Sequence, residues 1–341
     1  MKKLFTLLAF TISFSVNSQI STSGTNNSGI FSSAIGFQTS ATGDYSTAIG
    51  YSSTASESYC TAIGYSTNAS GSTSTAMGVN TTASGDGSTA MGNVTTASGN
   101  NSTAMGVSTI ASGTNSTAMG NSTTASGNNS TAMGVSTTAS GNTSTAMGFA
   151  TTASGSRSTA MGVNTSASDY GSLVIGQFNS AGSSVTNGPQ SAFIFNTGNT
   201  AFVIGNGTDG SNKSDAFKVM FNGDATVSNN LTVVGDVEVQ SDARLKSNIV
   251  SLGSTISKLL LIDGKSYEMK GKQKIGVLAQ EIKEVFPELV SEDDNKMLAV
   301  NYQGLVPVLI NALKEQQIEI NRLKDQEKRI ERLEGLIAQL D

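Results

Sequence analysis

The chain contains no histidine, which removes the commonest metal ligand and the commonest general base together. It has a single cysteine, Cys60, so neither an internal disulfide nor a cysteine zinc cluster can form. Charge is scarce in the first half. Between Ile20 and Gln190 the only charged side chains are Asp44, Glu57, Asp86, Arg157 and Asp169. From Ser241 onward charge is dense but nearly balanced, so there is no basic stripe and no nucleic-acid partner is expected. No cofactor and no metal are expected either. Long apolar runs are missing too, apart from Leu4 to Val16, which follows Lys2 and Lys3 and is too short to span a bilayer. With the small residues of Val16-Asn17-Ser18 behind it, this stretch reads as a signal peptide over 1–18, leaving Gln19 as the mature start. The mature chain is therefore expected to be secreted or at the cell surface, with no integral membrane segment.

What the chain has instead is a period. Ala34-Ile35-Gly36, Ala48-Ile49-Gly50 and Ala62-Ile63-Gly64 begin a series of eleven motifs, fourteen residues apart, that runs through Ala160-Met161-Gly162 to Val174-Ile175-Gly176. A second series, Ala41, Ala55, Ala69 and onward to Ala167, lies seven residues out of phase, mostly within Thr-Ala-Ser-Gly. A short period without insertions marks a solenoid, whose units bury their apolar faces only by stacking on neighbours. Each half-repeat is expected to be a strand of four or five residues closed by glycine. Alternation puts Met105 on one face with Thr103 and turns Ala104 to the other. Stacking then yields ladders of Met or Ile, of Ala and of Thr in a rod of roughly 50 Å, at ~4.8 Å per turn. So thin a roll needs partners to cover one face. Cys60 stands where other turns carry Ser and reads as a tolerated small residue.

Ser-Thr-Ala-Ile/Met-Gly followed by Thr/Ser-x-Ala-x-Gly, over about residues 30–176, resembles the head repeat of YadA-type trimeric autotransporter adhesins. The resemblance implies a left-handed parallel β-roll in each chain, three rolls packed as a homotrimer, and a host-surface, matrix or glycan receptor as partner. It does not extend to the barrel strands with which those adhesins end, so their anchor is not expected here. Other readings of the rod are weaker. Thr ladders also suit an ice-binding rod, but Thr is a good strand residue in any case. Sequons such as Asn101-Ser102-Thr103 follow from the repeat itself, and most turns lack the aspartate that calcium-binding solenoids need. A glycan-cleaving spike needs paired carboxylates in a groove, and the rod's four are scattered.

From Phe193 to Gln240 the period is lost. Strands are expected at 192–195, 201–204, 216–221, 225–227, 231–233 and 237–239, separated by Gly/Asn turns. They form either a shaft of three interleaved chains, as before the end of many phage tail fibres, or a β-rich linker domain.

After Gln240 come Ser241-Asp242-Ala243-Arg244-Leu245-Lys246-Ser247-Asn248-Ile249, then Ile275-Gly276-Val277-Leu278-Ala279-Gln280-Glu281-Ile282, Val285-Phe286-Pro287-Glu288-Leu289-Val290 and Val300-Asn301-Tyr302. These blocks, over about 241–315, resemble the C-terminal intramolecular chaperone of phage endosialidases and tailspikes. The resemblance implies a trimeric folding aid that cuts itself off with a serine–lysine pair, here Ser241 and Lys246. Taken without the family, a Ser and a Lys five apart carry no information. The chemistry requires a neutral lysine amine, favoured by burial or a nearby cation, and Arg244 is either that cation or half of an ion pair. Cleavage would fall at Gln240–Ser241 through a five-membered ring, or at Ser241–Asp242. From Pro307 to Leu340 the pattern is helical. Ile320/Leu323 and Ile330/Leu333/Ile337/Leu340 follow a/d spacing with a three-residue phase slip.

The expected fold is thus mainly β: a trimeric left-handed parallel β-roll solenoid over 20–180, a β-rich shaft over 190–240, an α+β chaperone and autoprotease domain over 241–315, and a coiled-coil helix over 316–341. The expected function is an adhesin-like or tail-fibre-like trimer whose chaperone is released by self-cleavage. A structural spacer or ice-binding rod with a retained, uncleaved cap is the alternative.

Overall fold

The computed structural model describes residues 23–180, 192–293 and 296–339. The expected signal peptide over 1–18, residues 181–191 of the neck region and Leu340 lie outside them. The chain divides into two compact units that meet in sequence at Thr232 and Val233.

The first unit is a solenoid. Eleven five-residue strands, from Ser33–Phe37 to Leu173–Gln177, stack in parallel, and eleven two-residue strands, from Asn26–Asn27 to Ser166–Ala167, form a second parallel sheet. Register is a strict shift of fourteen: Thr89 pairs with Thr103, Ala90 with Ala104 and Met91 with Met105. In the long strands from Thr47–Tyr51 to Thr159–Val163 the residue after Thr points inward. Ala104 is fully buried, while Thr103 and Met105 are half-buried on the outer face. The interior of a turn consists of Ser102, Ala104, Thr109 and Ala111. Two alanine methyls contribute roughly 1–2 kcal/mol per turn. The buried hydroxyls beside them bond within the roll in several turns, as where Ser158 Oγ donates to Ala167 O at 3.1 Å and Thr67 Oγ1 to Ser53 Oγ at 2.8 Å. The apolar interior is thus small, and the backbone ladder orders the rod.

The ladder depends on close approach of successive turns. Gly106 has φ +126, and a Cβ there would lie 2.0 Å from the carbonyl oxygen of Gly120. The same collision recurs at Gly113, 2.0 Å from the Gly127 oxygen. Glycine stands at the Gly106 position of every turn, whereas Glu57 and Asp169 replace it at the Gly113 position of two turns, so the neighbouring backbone excludes a side chain more strictly at the first place than at the second.

The two halves of the repeat are not alike. The expected second strand of four or five residues is only two long, as in Ile110–Ala111. Ser98 and Gly99 both donate to the carbonyl of Ala111, at 2.9 and 3.2 Å, and this shared acceptor turns the chain before more ladder can form. The stack also runs one rung past the visible period. After a longer excursion, Thr200–Asn206 pairs in parallel with Leu173–Gln177, setting Val203 on Val174, Ile204 on Ile175 and Gly205 on Gly176. Asp215–Met220 and Ala225–Val227 then continue the sheet in antiparallel fashion. The short-stranded sheet ends differently. Asn179 Oδ1 accepts from Ser166 N at 2.7 Å and its amide donates to Ser166 O at 3.0 Å, so one side chain takes the place of the next rung. Residues 192–195, 231–233 and 237–239, expected as strands, pair with no strand among the described residues; 192–195 are drawn into turns, and 231–239 are exposed.

The second unit packs helix α1 (Ile256–Leu259), the hairpin Lys265–Met269/Lys272–Gly276, helix α2 (Ala279–Val285), the hairpin Val290–Glu292/Leu298–Val300 and helix α3 (Leu305–Ile337). Its core is small: Ile282, Phe286 and Val308, with Leu259, Val277, Leu289 and Leu305 against them. Glu315 of α3 clamps the start of α1. Its carboxylate accepts from Thr255 N at 2.6 Å, from Ser254 Oγ at 2.8 Å and from Ile256 N at 3.3 Å. These donors, Thr255 N–H first, hold its carboxyl below the ordinary glutamate range. The α3 positions Ile320, Leu323, Ile330, Leu333 and Ile337 are all exposed.

Gly106→Ala should lower the stability of the rod by at least about 2–4 kcal/mol, whereas Ser112→Ala, on the exposed surface, should stay within about 0.5 kcal/mol. Thermal melts of the two variants decide this, and equal melting temperatures would show that close approach is not limiting. A lowered folded-state carboxyl contributes stability that is present above its unfolded value and lost as pH falls through the folded value. Glu315→Gln should therefore melt below wild type at pH 7, and the gap should close in acid below the ordinary glutamate range. A gap that persists there would mean the clamp does not act through its charge.

Candidate self-cleavage site and the surfaces of the rod

Just beyond the sequence boundary between the units, Asp242 caps a short 3-10 turn, Ala243–Leu245, by accepting from Arg244 N at 2.9 Å. Leu245 N donates to Asp242 O and Lys246 N to Ala243 O, both at 3.1 Å, which folds the segment back on itself. The result brings Lys246 Nζ to 2.6 Å from Ser241 Oγ. Arg244 is engaged elsewhere: its Nη2 lies 2.6 Å from Asp242 Oδ2 and its Nε 3.1 Å from both carboxylate oxygens. The Arg244 guanidinium holds the Asp242 carboxyl below the usual range, and Asp242 raises Arg244 in return. Arg244 is thus half of an ion pair. Gln240, Ser241, Asp242, Arg244 and Leu245 line a cavity of about 580 Å³, so both candidate scissile bonds border open space. Ser241 and Lys246 are exposed in the single chain.

Along the rod, Cys60 is buried in the serine position, and its thiol donates to Glu57 O at 2.8 Å. Burial pushes this thiol up, away from the reactive thiolate. The outer face of the long-stranded sheet carries an uninterrupted apolar ladder, from Ile35 through Met77 and Met105 to Met161 and Ile175. The first turns add aromatic ladders that the period alone did not single out. Phe31, Tyr45 and Tyr59 stack at 5.4 and 5.0 Å, and Phe37, Tyr51 and Tyr65 at 5.3 and 4.9 Å. The first three have φ of 57, 58 and 60, at a turn position that carries Asn in Asn101, Asn115 and Asn129. Aromatic residues are uncommon in that left-handed conformation. The signal was present as Tyr45/Tyr59 and Tyr51/Tyr65, each pair fourteen apart. Among the described residues no helix is long and apolar enough to cross a membrane.

Comparison with known proteins assigns the two regions separately. The YadA head domain repeat matches seven segments from residue 28 to residue 179, several of them overlapping. The chaperone of endosialidase matches residues 241–291, which include both Ser241 and Lys246. Among curated proteins the chain is similar to the long tail fiber protein Gp37 of Escherichia phage AR1, 35% identical over 96 residues, covering 25% of this chain and 9% of that one. The Gp37 of Enterobacteria phage K3 is 33% identical over 90 residues, covering 23% and 7%. The chain therefore matches less than a tenth of the length of these relatives. It joins YadA-type head repeats to a chaperone-of-endosialidase segment in a single polypeptide.

Proposed function

We propose that the mature chain is an exported homotrimeric fibre, adhesin-like or tail-fibre-like, whose C-terminal unit directs trimer folding and is then released by self-cleavage at Ser241. The observation that carries the cleavage is the 2.6 Å contact between Lys246 Nζ and Ser241 Oγ inside the matched chaperone segment. Ser241 Oγ attacks the carbonyl carbon of Gln240 and closes a five-membered ring, while the hydroxyl proton passes to the Lys246 amine. The ring opens as the Ser241 nitrogen leaves carrying a proton, so an amide becomes an ester between Gln240 and the Ser241 side chain. Water then cleaves that ester, leaving Gln240 as a carboxylate and Ser241 as a new amino terminus. Cutting at Ser241–Asp242 is the alternative outcome. Lysine acts as a base only as a free amine, which burial or an unpaired cation favours. Arg244 is committed to Asp242 and the pair is exposed in one chain, so the reading expects assembly with other copies to bury the site.

Trimerisation is supported by two unpartnered surfaces, the Met/Ile ladder on the rod and the exposed α3 seam with its a/d spacing. The folding role follows from the repeat itself. Every slip by fourteen residues satisfies the same rod contacts, so three chains need to be aligned from one end. A receptor on a host surface, matrix or glycan completes the adhesin reading. A passive spacer with a retained cap is the competing one.

Intact mass under denaturing conditions tests signal removal and cleavage together. Wild type should give two fragments, the smaller beginning at Ser241 or Asp242, without added protease. Ser241→Ala, Lys246→Ala and Lys246→Arg should each leave the chain uncut while assembly proceeds, because a guanidinium cannot take the serine proton. Uncut wild type would make the tail a retained cap. In light scattering the rod freed of its tail should remain trimeric, and a stable monomer would overturn the assembly reading.

A further inference from the structure

Arg157 is the single cation between Ile20 and Gln190, and the repeat gives no reason for it. It occupies the turn position that Asn101, Asn115 and Asn129 fill elsewhere, at φ 60, where Asn or Gly is more easily accommodated. No carboxylate pairs with it among the described residues. Its guanidinium instead lies over the ring of Tyr170, 5.2 Å from the centroid. Tyr170 is also foreign to its position, which carries Asn in Asn100, Asn128 and Asn142. Tyr170 is braced by aromatic edges: Phe195 meets it at 6.4 Å and 74°, and Phe221 meets Phe195 at 5.1 Å and 71°. Ser156 N donates to Ala192 O at 2.8 Å, which holds the returning chain against this turn and brings Phe193 alongside. Together Asn142, Thr143, Ser156, Arg157, Tyr170 and Phe193 line a cavity of about 260 Å³.

We propose that this cavity is a binding site for a carboxylated sugar, a single pyranose ring bearing an acid group. The inference rests on the reading of the rod as a binding fibre. Stacking on Tyr170 fixes the plane of the guanidinium, a fork that matches a carboxylate in bidentate fashion. Phe193 offers an aromatic wall for the apolar face of a pyranose. Asn142, Thr143 and Ser156 supply amide and hydroxyl groups for its ring hydroxyls. The volume is below the ~300–1,000 Å³ usual for drug-sized ligands, which suits one sugar ring. An extended peptide is a poorer fit, because it calls for a free strand edge or a long groove. In a trimer the site would occur three times, so weak single contacts would add through avidity.

The full-length protein should be titrated, with binding followed by ligand-observed NMR, against 3′-sialyllactose, digalacturonate and lactose. The two acidic sugars represent the two sources of the same chemistry, a terminal acidic sugar on a glycan and a uronic acid polymer. At least one should bind, with lactose at least about tenfold weaker. Arg157→Asn restores the residue of the neighbouring turns. It should leave the melting temperature unchanged or raised and weaken the acidic sugar by about tenfold or more. Phe193→Ala should weaken it as well. Undiminished binding by Arg157→Asn, equal binding of lactose, or no binding of either acidic sugar would each overturn the proposal. Oligomeric state and intact mass, measured on the same preparation, report separately on the trimeric, self-cleaving fibre, so either reading can fail alone.

Discussion

Successive turns of the rod approach so closely that carbonyl oxygens occupy the space where glycine lacks a Cβ, and most of the sequence follows from this contact. A Cβ at Gly92 or Gly134 would sit 2.0 Å from the carbonyl oxygen of the next turn, and at Gly85 or Gly141 2.1 Å. The repeat can therefore be neither lengthened nor shifted by less than a whole turn without collision, which is why fourteen is kept without insertion from Ala34 to Gly176. The same narrowness fills the inside almost entirely with Ala, Ser and Thr, with Cys60 at a serine position and Val174 and Val203 at the last rungs. A roll of this cross-section gains little from apolar burial, and its order comes from the backbone ladder.

That arrangement makes identity between turns both useful and hazardous. Identical rungs stack indefinitely, yet nothing in one rung distinguishes its neighbour from the next but one. The structure ends the stack with residues outside the repeat. Asn179 occupies the groups of Ser166 that a further short strand would use, and the antiparallel strands Asp215–Met220 and Ala225–Val227 follow the last parallel rung. An edge closed in this way no longer offers a parallel template to another chain. A separate unit after the rod, with its own small core around Ile282, Phe286 and Val308, is consistent with a device that sets register from outside the repeat.

How much was legible in the sequence depended on whether a feature shared the period. The inward Ala104, the outward Met105 and the serine-like burial of Cys60 all follow from alternation within a fourteen-residue unit, and the structure places them so. The two-residue length of Ile110–Ala111 was not legible, because it depends on two amides sharing the carbonyl of the next turn. The last rung at Val203 was hidden by the excursion that interrupts the spacing, although Val203-Ile204-Gly205 repeats Val174-Ile175-Gly176. Residues 231–233 and 237–239 alternate like strands, but alternation shows only which residues can share a face, and they pair with no strand among the described residues. At Ser241 and Lys246 the residues were legible only through family resemblance. Their 2.6 Å contact depends on the Asp242-capped turn between them, which a spacing of five does not reveal.

The division between fixed and free positions also explains how such a rod can acquire function. Interior Ala and the glycines of the Gly106 series hardly vary, whereas the turn residues at Tyr45, Tyr59, Asn101, Thr143 and Arg157 share one backbone conformation while being of four different types. Changing them alters surface chemistry without disturbing the ladder, provided that the left-handed φ is tolerated. Asn meets that condition most easily, so aromatic and charged residues there mark places where something other than folding governs the choice. Stacking between consecutive turns offsets part of the strain at Phe31, Tyr45 and Tyr59. At Arg157 the neighbouring Tyr170 does the same, but its guanidinium edge stays unpaired by any carboxylate among the described residues. A fold whose interior is nearly invariant thus concentrates its specificity in a few turn positions, and those positions lie on the surface a fibre presents.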